Sequence, residues 1–260
     1  KMGLVGFFRY LFLTIVSLIS VFQVYWMAVS ATNSSADVSR GRIVPGTEFI
    51  SNLNKLISSQ NIGGAMWNSF RNAVILTVIA LIVCSVAGYG FEIYHTKGKD
   101  RLMNLLLTAM MIPFAATMIP LFRIFSSMNM ISSTIAVILP TISTPFLIMM
   151  FRQSARSFPH DIIEAARLDG LNELQIFIRM FIPTMRSTYA AAMTITFMNA
   201  WNNYLWPRVI SMDPKNQTMP MLVANLTAGY VTDYGVLMLA VLVTTIPTVV
   251  IFFLLQKSFA

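Results

Sequence analysis

Six long apolar runs, each free of Lys, Arg, Asp and Glu, constrain this chain more than any other feature. They extend from Tyr10 to Val29, Ala73 to Phe91, Leu102 to Phe122, Thr134 to Phe151, Thr188 to Trp206 and Tyr234 to Leu255. A hydrocarbon core about 30 Å thick needs roughly 20 residues of helix, and these runs have that length. Strands of an outer-membrane barrel are about half as long and alternate in polarity, whereas these runs are continuous. The expectation is an all-α integral membrane protein with six transmembrane helices, one membrane domain over residues 1–260. Composition agrees, because 56% hydrophobic against 11% charged residues is too apolar for a soluble domain of this length.

The first run follows a basic start and ends near Val29-Ser30-Ala31, which has the look of a signal-peptide cleavage site. Its apolar core exceeds the roughly 7 to 15 residues of a secretory signal, and Tyr25 and Trp26 suit a membrane interface, so a retained helix is expected. The start at Lys1 is abrupt, which leaves open residues before it and after Ala260.

Orientation is read from the short connections. Lys97, Lys99 and Arg101 crowd one turn, and Arg152, Arg156, Arg167, Arg179 and Arg186 fall after the fourth run, so both connections are expected on the cytoplasmic side. Parity then places both termini inside, in agreement with Lys1, Arg9 and Lys257. Arg40, Arg42, Lys55, Arg71, Arg208 and Lys215 on the other side blur the contrast.

The net charge of +8 is chiefly this topology signal, with anionic headgroups of membrane lipid as further partners. Basic residues are divided between both sides without an aromatic-interleaved stripe, so nucleic acid is not implied. Cys84 is alone, His95 and His160 lie in connections outside any H-E-x-x-H pattern, and the 19 Met residues read as adaptable packing, so no metal site is expected. No G-x-S-x-G and no intramembrane His or paired carboxylate suggests an enzyme. No G-x-x-x-x-G-K-[ST] loop binds ATP here. An ion-gradient-driven carrier would place ionisable groups at mid-membrane, and the runs contain none.

Between the fourth and fifth runs the chain reads FPHDIIEAARLDGLNELQIFIRMFIP. Seven charges from Arg156 to Arg179, at about 2.5 to 3.5 kcal/mol each, keep this insert out of the bilayer. Pro159 suits a first helical turn and Gly170 the left-handed position past a helix end, so a short helix over DIIEAARLD is expected. Asn172 caps a second helix that runs to Pro183. Ala165 and Ala166 leave room for another surface. A helix this short needs something to pack on, and both the chain's own spans and a cytoplasmic partner remain open.

Glu164-Ala165-Ala166, then Asp169-Gly170, then Phe177, Ile182 and Pro183, resembles the EAA loop of membrane subunits of ATP-binding-cassette (ABC) importers. The stretches MIPFAATMIPLF, TIAVILPTISTPFLIMMFRQ and FMNAWNNYLWPRVI, with Tyr25-Trp26-Met27 and Asn68-Ser69, are similar to the carbohydrate-importer branch, the family of the maltose transporter's smaller permease. The likeness covers nearly the whole chain.

That resemblance implies a type I importer (MetI-like) permease fold in the bacterial inner membrane. It implies a second homologous permease, a cytoplasmic ATPase dimer that holds ATP and Mg, and an extracytoplasmic solute-binding protein that delivers a sugar or oligosaccharide. Glu164 would meet a basic residue of the ATPase, Ala165 and Ala166 would permit close fit, and Gly170 would make the bend. A permease for a non-sugar solute is the alternative within the family, since the binding protein does most of the selecting. The segment Asp213, Pro214, Lys215, Asn216, Gln217 and Thr218 occupies the place where this family sends a loop towards the binding protein, against which stands an ordinary external connection. Asn216-Gln217-Thr218 also matches a glycosylation acceptor, a chance match in a bacterial chain.

Within the fifth run, Thr196, Asn199 and Asn203 are spaced three and four apart, so they share a helix face. Such groups commonly bond to neighbouring helices, and a sugar-facing role in the translocation path is the alternative. Pro113 and Pro120, Pro140 and Pro145, and Pro247 are expected to kink or interrupt the third, fourth and sixth helices.

Overall fold

The computed structural model describes residues 4–256, so Lys1 and Lys257 lie outside the described residues. The described chain is helical throughout, with no strand. In chain order the helices are α1 (Leu4–Ser30), α2 (Ser35–Ser39), α3 (Phe49–Ser59), α4 (Ile62–Ile93), α5 (Lys97–Ala109), α6 (Phe114–Ser127), α7 (Thr134–Ile138), α8 (Pro145–Ala155), α9 (His160–Leu168), α10 (Glu173–Ile176), α11 (Ile182–Thr184), α12 (Arg186–Trp201), α13 (Leu205–Ile210), α14 (Met219–Leu226) and α15 (Tyr234–Leu255).

Three single helices, Gly6–Ser30, Ile62–Ile93 and Tyr234–Leu255, are long and apolar enough to cross a membrane. Two further candidates are bent pairs: Lys97–Ala109 with Phe114–Ser127 at 99°, and Thr134–Thr141 with Pro145–Ala155 at 50°. The expected third span, Leu102 to Phe122, is therefore not one rod. Pro113, held at φ −60° and ψ 133°, has no N–H for the ladder and pushes Ile112 away from helical geometry. The freed ends close instead in tight turns, Met111 N–H onto Thr108 O (3.0 Å) and Ile112 N–H onto Ala109 O (3.1 Å). Pro120 and Pro247 sit inside α6 and α15 without ending them. The fifth run also breaks: α12 stops at Trp201 and α13 begins at Leu205.

The chain forms two compact units. One takes in the residues up to Gly63 together with Met219–Pro247. Its centre is polar: Asn52 Nδ2 donates to the carbonyls of Ala31 and Asn33 (both 3.0 Å), and Asn33 Nδ2 to those of Val29 (3.0 Å) and Val44 (3.0 Å). Lys55 pairs with Asp233 at 3.2 Å.

The other unit runs from Gly64 to Thr218 and resumes at Thr248. Leu76, Ala80 and Cys84 of α4, Met103 of α5, Leu147 and Phe151 of α8 and Ala192 of α12 form its main core. A second cluster gathers Phe125, Ala136, Trp206 and Ile210, with the Trp206 indole N–H donating to Ala136 O at 2.9 Å. Within this unit the segment after α13 is ordered by a short 3-10 turn at Pro214–Asn216, and α14, which follows, belongs to the first unit.

Candidate functional site

The charged insert folds as an elbow whose corners are written locally. Pro159, in extended geometry, precedes α9, Asp161 lies in the first turn and Arg167 in the last, each complementing the helix dipole. The end is a Schellman closure: Leu171 N–H reaches Ala166 O (3.0 Å), Gly170 N–H reaches Arg167 O (3.0 Å), and Gly170 stands at φ 80°. Asn172 then opens α10 with a reciprocal capping box, each partner of the Asn172–Gln175 pair bonding the other's backbone N–H at 2.9 Å. Arg167 Nε donates to Glu173 Oε1 at 2.8 Å, joining the end of one helix to the start of the next. That guanidinium holds the Glu173 carboxyl below the usual carboxylate range.

One face of the elbow is fixed in an aromatic core. Ile163 and Ala166 are buried with Phe158, Ile176, Phe177 and Phe181 around Tyr89 of α4. Tyr89 meets Phe177 and Phe181 edge-on, at 5.3 and 4.9 Å between ring centroids. The opposite face is open: Glu164, Ala165 and Asp169 are exposed, and Leu168 is 90% exposed.

Two expectations are corrected here. Ala166 does not offer room to another chain's surface as Ala165 does, because adjacent helical positions point about 100° apart and this chain's own aromatic core takes the Ala166 side. The second helix also does not end at Pro183. A π-turn over Phe177–Phe181 widens the backbone ahead of exposed Pro183, Thr184 Oγ1 donates to Met180 O at 2.7 Å, and the interruption falls at Met185 (φ −93°, ψ 21°).

An ion cluster that the sequence alone does not reveal lies near this elbow. Arg152, 4% exposed on α8, donates to Glu92 at the end of α4 (3.0 Å) and to Asp100 at the start of α5 (2.5 Å). Arg156 adds a 3.2 Å contact to Glu92, and His95 lies 2.8 Å from Asp100. The available signal was that these charges flank three apolar runs, Glu92 and Arg152 each just after one and Asp100 just before another.

Thr196, Asn199 and Asn203 do converge, although Asn203 lies beyond the end of α12 and not on the shared helix face expected of it. They line a cavity of about 200 Å³ with Thr141, Thr144 and Phe146, which flank the break ahead of α8. Neither threonine nor the phenylalanine stood out in the sequence. Thr141, Asn199 and Asn203 also border a wider cleft of about 390 Å³ next to Phe114 and Tyr204.

The segment from Asp213 to Thr218 divides. Asp213, Pro214 and Lys215 are exposed, with Asp213 Oδ1 accepting from Lys215 N–H at 2.8 Å. Asn216 Nδ2 donates to Ser132 O (2.6 Å), while Asn68 Nδ2 bonds the carbonyls of Lys215 (2.7 Å) and Gln217 (3.0 Å). Thr218 is buried, so its side chain cannot belong to an outward contact surface.

Residues 86–260 match the family described as binding-protein-dependent transport system inner membrane component. Over 251 residues the chain is 38% identical to the lactose transport system permease protein LacG of Rhizobium radiobacter, covering 96% of this chain and 92% of that one. It is 31% identical to the arabinooligosaccharides transport system permease protein AraQ of Halalkalibacterium halodurans, over 94% of this chain and 89% of the relative. A bacterial ABC transporter involved in the import of the acidic polysaccharide alginate contains a chain of similar fold, with a TM-score of 0.84 at 20% identity, covering 98% of this chain and 96% of that one.

Proposed function

Because the chain belongs to the family of binding-protein-dependent transport system inner membrane components, and is thus a permease subunit of an ABC importer, we propose that α9 is the point at which a separate ATPase drives it. The observation that carries this reading is the two-faced elbow. Its inner face is locked by Ile163, Ala166 and three phenylalanines against Tyr89, and its outer face leaves Glu164, Ala165 and Leu168 bare. With Leu168 and Ala165 beside the Glu164 carboxylate, that outer face offers both an apolar and a charged contact to a docking partner. Since α10 and α11 lead from this elbow into α12, a push on α9 moves the helix that lines the polar cavity. ATP binding biases such a lever between two positions.

In this reading the solute is a sugar or oligosaccharide, in line with the carbohydrates named for the relatives. The chain makes half of the path in a bacterial cytoplasmic membrane, beside a second, related permease. ATP and Mg are held by the ATPase pair beneath, a solute-binding protein docks on the opposite side, and the elbow and both termini face the cytosol. The decisive experiment purifies the assembly with Glu164→Lys. Reversing that charge is expected to abolish both retention of the ATPase and sugar uptake while the permease keeps its thermal midpoint. Undiminished retention and uptake would overturn the docking assignment.

A further inference from the structure

The polar cavity beside α12 has a feature that packing does not explain. Threonines buried in helices of this protein routinely return their hydroxyl to their own backbone: Thr77 bonds Ala73 O at 2.6 Å and Thr194 bonds Ala190 O at 2.9 Å. Thr196, two residues after Thr194 and only 6% exposed, does not, and its Oγ1 has no hydrogen-bond partner. A buried hydroxyl without a partner is costly, and this one belongs to a residue in the wall of the polar cavity.

The surroundings define what ligand suits it. The amides of Asn199 and Asn203 and the hydroxyls of Thr141 and Thr144 border the same space, and Phe146, 48% exposed, with Leu147 supplies an apolar wall. Each amide both donates and accepts, as does each hydroxyl, which suits a ligand whose own groups are hydroxyls. Among the described residues lining it there is no Lys, Arg, His, Asp or Glu, so a carboxylate or phosphate would be desolvated without a counter-charge. About 200 Å³ gives room for one sugar ring, and the wider cleft that shares Thr141, Asn199 and Asn203 leaves space for the rest of a longer chain.

We propose that this cavity binds one ring of an uncharged sugar during transport, with Thr196, Asn199 and Asn203 as its hydrogen-bonding groups and Phe146 as its apolar wall. This rests on the reading of the chain as a sugar-importer permease and adds that the smaller space within this subunit itself contacts the cargo and discriminates against anions.

The test uses the complete transporter with its solute-binding protein in liposomes, and as probes lactose and arabinotriose (uncharged) and an alginate trimer (anionic). Cys84 is the chain's single cysteine and is buried, so Asn199→Cys offers one addressable thiol for a small methanethiosulfonate. An uncharged probe that stimulates ATP turnover is expected to slow that labelling at least about threefold. Thr196→Val, which keeps shape and removes the hydroxyl, is expected to raise the KM for uptake about two- to tenfold, the range of one net hydrogen bond. Labelling unaffected by a probe that drives turnover, or protection by the alginate trimer alone, overturns the proposal and leaves the importer reading intact. If no sugar in a wider panel of neutral mono- and oligosaccharides drives uptake or turnover in the unmodified transporter, the sugar-importer premise fails and the proposal falls with it.

Discussion

Arg152 Nε donates to Glu92 Oε2 at 3.0 Å, tying the far end of α8 to the far end of α4 across 60 residues of chain. The same guanidinium reaches Asp100, so three helices meet at one nearly buried cation. Arg152→Met leaves Glu92, whose side chain is 18% exposed, with only Arg156 beside it. Glu92 keeps Arg156 and Asp100 is partly solvated, so a loss smaller than that of a stranded buried charge, about 1 to 2 kcal/mol, is expected. Unfolding of the detergent-solubilised permease measures it, and Arg152→Lys, which lacks the fork that spans both carboxylates, should recover only part.

A second contact between the same helices is set by the absence of a side chain. A Cβ on Gly88 would lie 2.6 Å from Phe151 Cβ, 2.8 Å from Arg152 N and 2.9 Å from Ile148 O. Two of these are backbone atoms that cannot turn aside, so Gly88→Ala forces α4 and α8 apart at an expected cost of about 1 to 3 kcal/mol. Gly90, on the same helix, has nothing within 4 Å of its Cβ position, and Gly90→Ala should be neutral or slightly stabilising. Equal effects of the two substitutions on the thermal midpoint would refute the close-packing argument.

At Gly170 space is not the issue, since nothing lies within 4 Å of an added Cβ, but φ is 80°. Gly170→Val is expected to cost at least about 1 to 2 kcal/mol of strain and to lower coupled ATP turnover, whereas Gly170→Asn should be tolerated. Uptake by the two variants separates backbone strain from loss of flexibility.

These cases mark what the sequence could disclose. Gly170 and the Asn172 cap are legible because their causes lie within four residues. Gly88 is not, because the atoms that exclude a side chain belong to Phe151, Arg152 and Ile148, far along the chain. Pro113 announces a break in the third apolar run but not its 99° angle, which tertiary packing sets. Thr196 and Asn199 were legible as a pair on one face, while Asn203 arrives at the cavity from beyond the helix, and Thr141 and Thr144 only through the bend before α8. The outer face of α9 could not be told from Ala165-Ala166 alone, since either alanine fits a close contact and only the aromatic core around Tyr89 selects Ala166.

The elbow should loosen in acid. Glu173 is held below its ordinary value of 4.5 by Arg167, so its contribution is complete above that pH and is lost as pH falls through the lower folded value. A nitroxide at Leu168→Cys is expected to show constant mobility from about pH 7 to 5 and rising mobility below about 4.5. Glu173→Gln should make the label mobile at neutral pH and flatten the profile. A profile unchanged by that substitution would detach the effect from this ion pair.

Within the segment after α13, outward and inward residues should respond with opposite signs. Asp213, Pro214 and Lys215 are exposed, so Lys215→Glu is expected to leave thermal stability unchanged and to reduce stimulation of ATP turnover by the solute-binding protein. Thr218 is 4% exposed and its Oγ1 has no partner, so Thr218→Val removes an unsatisfied group without changing shape. It should raise stability by about 1 kcal/mol and leave stimulation intact. Asn216→Ala, which cuts the bond to Ser132 O, should lower both, because it frees the turn that presents Lys215. If Lys215→Glu leaves stimulation untouched while Asn216→Ala lowers only stability, the segment is a connection that braces α4 and the turn before α7 and makes no contact with the binding protein.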